Sequence, residues 1–290
     1  MRSLLLSLAC AALLLPSAAA PRTSDSEAGQ QDDEHQVLSY GSDPLQTVDV
    51  WTTAAVEPTL TIFVHGGGWS RGDKDMMRGS AKLEHWQYEA DAVASVNYRL
   101  VPDATVEQQA ADIASALALL KSRAESLYFD PRKIVLVGHS AGAHLVALLG
   151  TDETYLRRAG LSFADIAGVV LLDGAAYDVP TQLEKGPGIM QRRYREAFGT
   201  DPARQARLSP TRQAAAPNAP AFLILHVQRP DGVIQSEALA AALRKAGTSV
   251  EIHGFPGTGL KGHREINQRL GEPDYPPTQV LDRWLAKLFG

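Results

Sequence analysis

The feature that most constrains this chain is a rhythm in which short apolar runs alternate with stretches whose apolar residues recur every three or four positions. Segments 59–64, 92–96, 133–137, 168–172, 221–225 and 249–255 read as strands, several apolar throughout. A strand that is apolar on both faces belongs in a sheet covered on both sides. Between the strands, Ala110, Ile113, Ala114, Leu117, Leu120, Ala124 and Leu127 follow helical spacing, as do Val280, Leu281, Trp284, Leu285 and Leu288. The alternation predicts an α/β fold: a mainly parallel sheet with helices on both faces and its ligand site beyond the carboxyl ends of the strands. Two further strands, 37–40 and 48–51, flank the turn signal Gly41-Ser42-Asp43-Pro44.

Segment 177–220 breaks the rhythm with repeated prolines and the basic cluster Arg192-Arg193-Tyr194-Arg195. It reads as an insertion over the sheet edge, either a small lid or a plain long connection. The first 20 residues are a separate matter. Arg2, the apolar core from Leu4 to Leu15 and the small residues Ser17-Ala18-Ala19-Ala20 have the make-up of a secretory signal. That core is too short to span a bilayer stably. Residues 21–35 offer nothing that packs and are expected to be a flexible leader, so the folded domain is assigned to 36–290. Export to the periplasm or medium is the expectation, with no stable membrane insertion once the signal is removed. Cys10, the chain's single cysteine, lies inside the signal core, and Ser7 stands where a lipidation motif carries a large apolar residue. The mature chain therefore has no disulfide, thiolate nucleophile or cysteine metal site to call on.

With 28 basic against 33 acidic side chains and no Lys/Arg-rich run, the electrostatic footprint of a nucleic-acid binder is missing. No metal-ligand spacing such as His-Glu-x-x-His or an Asp-rich calcium loop occurs, and no metal or cofactor is expected. Gly257-x-Gly259-x-x-Gly262 mimics a dinucleotide fingerprint, but no further βαβ unit fits behind it before residue 290.

Chemistry enters at Gly138-His139-Ser140-Ala141-Gly142, which follows the apolar run 133–137 and opens the helical stretch Ala143-His144-Leu145-Val146-Ala147-Leu148-Leu149. Strand, sharp turn and helix form the setting of a nucleophile elbow, where flanking glycines leave the serine hydroxyl uncrowded. Seventy-five residues earlier, His65-Gly66-Gly67-Gly68-Trp69 also follows a strand directly. Three successive glycines are entropically costly unless backbone N–H groups must approach something closely. A serine attacking a carbonyl creates such a something, an oxyanion, and Gly67, Gly68 and Ala141 are assigned as its amide donors.

These blocks, together with Trp69-Ser70-Arg71-Gly72-Asp73-Lys74, Asn97-Tyr98-Arg99-Leu100 and Leu172-Asp173-Gly174-Ala175-Ala176-Tyr177-Asp178, resemble the α/β-hydrolases. The similarity is to the bacterial esterase/lipase group with the HGGGW oxyanion motif, which includes relatives of feruloyl esterases and hormone-sensitive lipase. The resemblance spans residues 37–289 and implies a serine carboxylesterase acting on a small-molecule ester. It also implies the order nucleophile, acid, histidine. The family's acid follows the strand ending at Leu225-His226 in the pattern His-Gly-x-x-Asp, whereas this chain reads His226-Val227-Gln228-Arg229-Pro230-Asp231. Asp231 is the expected acid, with Asp173 and Asp178 as substitutes after the preceding strand. His263, on a loop after the last strand, is the expected base. His35, His65, His85, His139, His144, His226 and His253 have blander readings in the leader, on elements or beside the elbow. Trp69 is assigned to substrate binding, with anchoring of its loop as the other reading. Two other functions stay open: an amidase or formamidase with the same triad, and an inactive binding protein on the same fold.

Overall fold

The computed structural model describes residues 35–290 other than Ala54, Val56, Glu57 and Ala90. The expected signal 1–20, and leader residues 21–34, lie outside the described residues. The strands are β1 (His35–Ser39), β2 (Thr47–Trp51), β3 (Leu60–Val64), β4 (Ala92–Val96), β5 (Ile134–His139), β6 (Gly168–Leu172), β7 (Ala221–Val227) and β8 (Ser249–Phe255). The helices are α1 (Ala81–Tyr88), α2 (Val106–Ser122), α3 (Ala141–Thr151), α4 (Thr154–Arg158), α5 (Val179–Lys185), α6 (Gln191–Phe198), α7 (Pro202–Arg207), α8 (Pro210–Gln213), α9 (Pro230–Lys245), α10 (Gly259–Arg269) and α11 (Pro276–Phe289).

The strands make one sheet in the order β1-β2-β4-β3-β5-β6-β7-β8. All neighbours from β4 to β8 pair in parallel, and only the pairs formed by β2 are antiparallel. His35, expected in the leader, is instead the first residue of β1. It pairs in register with Trp51, and its ring lies 5.0 Å from the Trp51 ring.

The apolar central strands still obey a period of two, because successive side chains point to opposite faces. Leu60, Ile62, Ile134, Leu136, Val169, Leu171, Phe222 and Ile224 join one core, with α2, α3 and α9 over them. Phe63, Val135, Val137, Val170, Leu172, Leu223 and Leu225 join the other, under α1, α10 and α11. Helix α3 is buried at every position, which explains why its sequence lacks a polar face. Helix α2 begins at a reciprocal cap between Thr105 and Gln108, and its stripe of Ala110, Ile113, Ala114, Leu117 and Leu120 is fully buried.

Segment 177–220 folds as α5 to α8 rather than as irregular chain. It is tied to the main body where Arg204 of α7 donates to both oxygens of Glu107 on α2, at 2.8 and 2.7 Å.

The first turn of α3 presses on the end of β3. A Cβ at Gly142 would run into the carbonyl oxygens of Val64 and His65, which are backbone and cannot swing away. Gly142→Ala is therefore expected to cost roughly 2 kcal/mol of unfolding free energy in urea titration. It should also displace the neighbouring Ser140, read as loss, in whatever protein still folds, of the ester hydrolysis that the sequence leads one to expect.

Candidate active site

The parallel register brings the functional residues to one edge. His139 at the end of β5 pairs with Leu172 at the end of β6, and Leu172 with Leu225 of β7. One residue further on, the Ser140 amide donates to the Leu172 carbonyl at 3.0 Å and the Asp173 amide to the Leu225 carbonyl at 2.7 Å. Ser140 and Asp173 thus leave adjacent strands side by side. Both have positive φ, 57° and 42°, a region costly for residues with a Cβ and often found at functional turns.

His263 lies in the early turns of α10 rather than on a free loop. Its Nδ1–H donates to Asp173 Oδ2 at 2.6 Å, and its Nε2 accepts from the Ser140 hydroxyl at 3.0 Å. Ser140 is half-buried and Asp173 is buried. Burial would raise the Asp173 carboxyl, but the hydrogen bond from His263 and the charge of Arg229 hold it below the usual carboxylate range.

The expectation that Asp231 orients the histidine is corrected. β7 runs to Val227 and Pro230 opens α9, so only Gln228 and Arg229 separate the two elements. That leaves no loop to carry Asp231 to His263. Asp231 sits in the first turn of α9, where Arg229 Nη1 donates to it at 3.2 Å and Gln182 Nε2 at 3.1 Å. Asp178, the other substitute, caps α5 and accepts from Arg212 Nε at 2.7 Å. Arg229 is the residue that sequence reasoning missed. Its Nε donates to Asp173 Oδ2 at 2.7 Å, and its Nη2 to the carbonyls of Asp173 and Gly174 at 3.3 and 3.1 Å. The Val227 amide satisfies the remaining Asp173 oxygen at 3.1 Å.

The glycine loop after β3 lies against the elbow: a Cβ at Gly66 would come within 3.0 Å of the Ser140 Cβ. Gly67 and Gly68 have φ of 133° and 62°, and a Cβ on Gly67 would also strike the Arg71 carbonyl. Among the described residues, no protein acceptor takes the amides of Gly67, Gly68 or Ala141. The loop is braced from behind, where the Tyr98 hydroxyl donates to the His65 carbonyl at 2.9 Å and the two rings stack at 4.4 Å.

Trp69 does not line a substrate pocket. Only 1% of it is exposed, and its indole packs on Phe198 at 4.8 Å, His144 at 5.5 Å and Tyr194 at 6.0 Å. Its Nε1–H donates to His144 Nδ1 at 3.3 Å, while His144 Nε2–H donates to the Leu208 carbonyl at 2.8 Å. His144 is therefore a neutral bridge between the glycine loop and the insertion. On the other side of the elbow, His139 donates from Nε2 to the His263 carbonyl at 3.0 Å. Burial pushes the His139 imidazole down to about 3 and that of His144 to about 4.

The BD-FAE family profile matches residues 49–243. The chain belongs to the BD-FAE family. Among curated relatives, it is 33% identical to esterase LipC of Mycobacterium tuberculosis over 38% of this chain and 28% of the relative. It is 31% identical to a kynurenine formamidase of Meyerozyma guilliermondii over 52% and 56%. An ethyl acetate hydrolase of Pseudomonas putida is 26% identical over 70% and 65%. The matches thus span less than two thirds of these relatives' own lengths. Among solved structures, esterase B of Lactobacillus rhamnosis superposes with a TM-score of 0.73 at 23% identity, over 89% of this chain and 85% of that one. Esterase 2 of Thermogutta terrifontis with bound propionate gives 0.67 at 22%, over 88% and 94%. These likenesses establish the α/β-hydrolase fold for the family member described here.

The buried neutral imidazoles make stability depend on pH. His144 ionises near pH 6.5 when unfolded and only near pH 4 when folded, so between these values the unfolded chain binds the proton first and stability falls with acidification. Glutamine can accept from Trp69 and donate to Leu208 without titrating. His144→Gln is expected to remove about 3 kcal/mol of the wild-type loss between pH 6.5 and 4, measured by urea unfolding at each pH.

Proposed function

We propose that this chain is a serine hydrolase that cleaves carboxylic esters, with Ser140 as nucleophile, His263 as general base and Asp173 as the carboxylate that orients it. The observation carrying this reading is the relay from Asp173 Oδ2 through His263 to Ser140 Oγ, at 2.6 and 3.0 Å. A serine hydroxyl is a weak nucleophile until a neighbouring base takes its proton. The tautomer required, protonated at Nδ1 and free at Nε2, is the one a carboxylate at Nδ1 enforces.

Attack of Oγ on the ester carbonyl forms a tetrahedral intermediate while the proton passes to His263 Nε2. Collapse expels the alcohol, which takes that proton and leaves an acyl-Ser140. Water then repeats the sequence, giving the carboxylic acid and restoring the hydroxyl. Each intermediate carries its negative charge on the former carbonyl oxygen, and the amides of Gly67, Gly68 and Ala141 are the donors we assign to it. The fixed loop backbone needs no reorganisation to do so. Arg229 has a supporting part, since its hydrogen bonds to Asp173 Oδ2 and to two carbonyls hold the carboxylate in place.

Similarity to a kynurenine formamidase favours a second reading, in which the same relay opens a formamide or amide C–N bond. Comparison of turnover on matched ester, amide and formamide substrates separates the two.

A fluorophosphonate probe is expected to label the purified chain and not Ser140→Ala; labelling that persists in the variant would remove Ser140 from its role. Asp173→Asn should lower kcat by roughly 10³- to 10⁴-fold through loss of the correct imidazole tautomer. Asp231→Asn should cost less than about tenfold, since Asp231 acts only through Arg229. The reverse ranking in steady-state kinetics would restore Asp231 as the acid.

A further inference from the structure

We propose that the substrates are esters carrying a carboxylate, received by Arg193 with Arg71 at the rim of the glycine loop; this rests on the serine-hydrolase reading and narrows its substrate class. The two arginines come from different elements, Arg71 from the loop after β3 and Arg193 from α6 of the insertion, and they flank adjacent glycines. A Cβ on Gly68 would meet Arg193 Cδ at 3.3 Å and Nη1 at 3.7 Å, so the guanidinium itself reaches the loop. A Cβ on Gly67 would meet Arg71 Cγ at 3.2 Å.

Neither guanidinium has a hydrogen bond or ion pair among the described residues. Within the insertion, by contrast, Arg204 is held by Glu107 and Arg212 by Asp178, each at 2.7 Å, while the equally unpaired Arg195 and Arg207 are not among the residues nearest the glycine loop. Arg193 is half-buried and Arg71 exposed. The guanidinium of Arg193 and the stem of Arg71 thus stand beside the glycines whose amides are assigned to the oxyanion. A neutral ester offers the two arginines only a carbonyl oxygen, whereas a carboxylate a few bonds from the scissile carbonyl brings an opposite charge and can accept two parallel N–H bonds from a guanidinium. Such a contact is the same in ground and transition states, so it acts on KM more than on kcat. At this exposed rim it weakens as salt screens the charges.

The test uses the purified full chain and two matched pairs. The p-nitrophenyl monoester of glutaric acid against p-nitrophenyl valerate puts the anion on the acyl side. 3-Acetoxybenzoate against phenyl acetate puts it on the alcohol side, and the pair that responds identifies which side faces Arg193. In at least one pair the anionic ester should have the higher kcat/KM, through KM. Arg193→Gln should lower the anionic-to-neutral ratio by about tenfold or more and Arg71→Gln by less. Raising salt from roughly 50 to 500 mM should lower it in the wild type. Arg283→Gln on α11, the same change of net charge elsewhere, should not move it. Should Arg193→Gln fail to fold, Arg193→Lys and the wild-type salt series report the same ratio, with lysine giving an intermediate value.

A ratio at or below one in both pairs overturns the proposal, as does an equal response to Arg283→Gln. It is also overturned if Arg193→Gln lowers kcat equally for both members of a pair, because that would place the guanidinium on the oxyanion of any ester. Ser140-dependent turnover of neutral esters without anionic preference overturns this inference alone and leaves the hydrolase intact. Absence of any turnover that Ser140→Ala removes overturns both.

Discussion

The hydrogen bond from the Ser140 amide to the Leu172 carbonyl, 3.0 Å long, is the constraint on which the site depends. It extends the β5–β6 ladder one residue beyond the regular strands, just where the chain turns into the strained elbow. The corresponding bond from Asp173 to Leu225 does the same for the next strand pair. Two residues with unfavourable positive φ are thereby held by a sheet whose central strands are fully buried, and a rigid scaffold of this kind can sustain local strain. A one-residue slip would turn every core side chain to the wrong face, so the core that stabilises the domain also fixes the distance between Ser140 and Asp173.

Charge around Asp173 is balanced in the same economical way. Asp173, Arg229 and Asp231 form a buried group in which one guanidinium faces two carboxylates. Isolated buried charges are expensive, but here the Val227 amide, Gln182 and the His263 ring take up the remaining hydrogen-bonding capacity. Asp231 therefore has a clear physical use as the second counter-charge of Arg229, even though it stands away from the imidazole.

Much of this was legible beforehand. Apolar runs marked the central strands to within two residues, since strands buried on both faces leave no ambiguity of composition. Ser140 stood out because it sits where a strand turns into a helix, and His263 because it follows the last strand. The acid did not, because choosing among Asp173, Asp178 and Asp231 depends on where β7 stops and α9 starts, a matter of two residues settled by backbone pairing and Pro230. Asp173 did offer one signal: like Ser140, it is the first residue past a buried strand. Arg229 offered none, since an arginine between two carboxylates is visible only once the fold has brought them together. Trp69 was misplaced for a related reason, as its neighbours Tyr194 and Phe198 come from the insertion, well over a hundred residues away.

The imidazole of His144 touches the glycine loop through Trp69 and the insertion through Leu208. Residues 177–220 are consequently no detachable module. A grafted replacement taken from another member of the family would have to supply its own carbonyl and its own aromatic wall at this junction. Without them the indole would lose its seat, and the glycine loop beside it would lose its alignment, so any change in this insertion is coupled to the interior of α3.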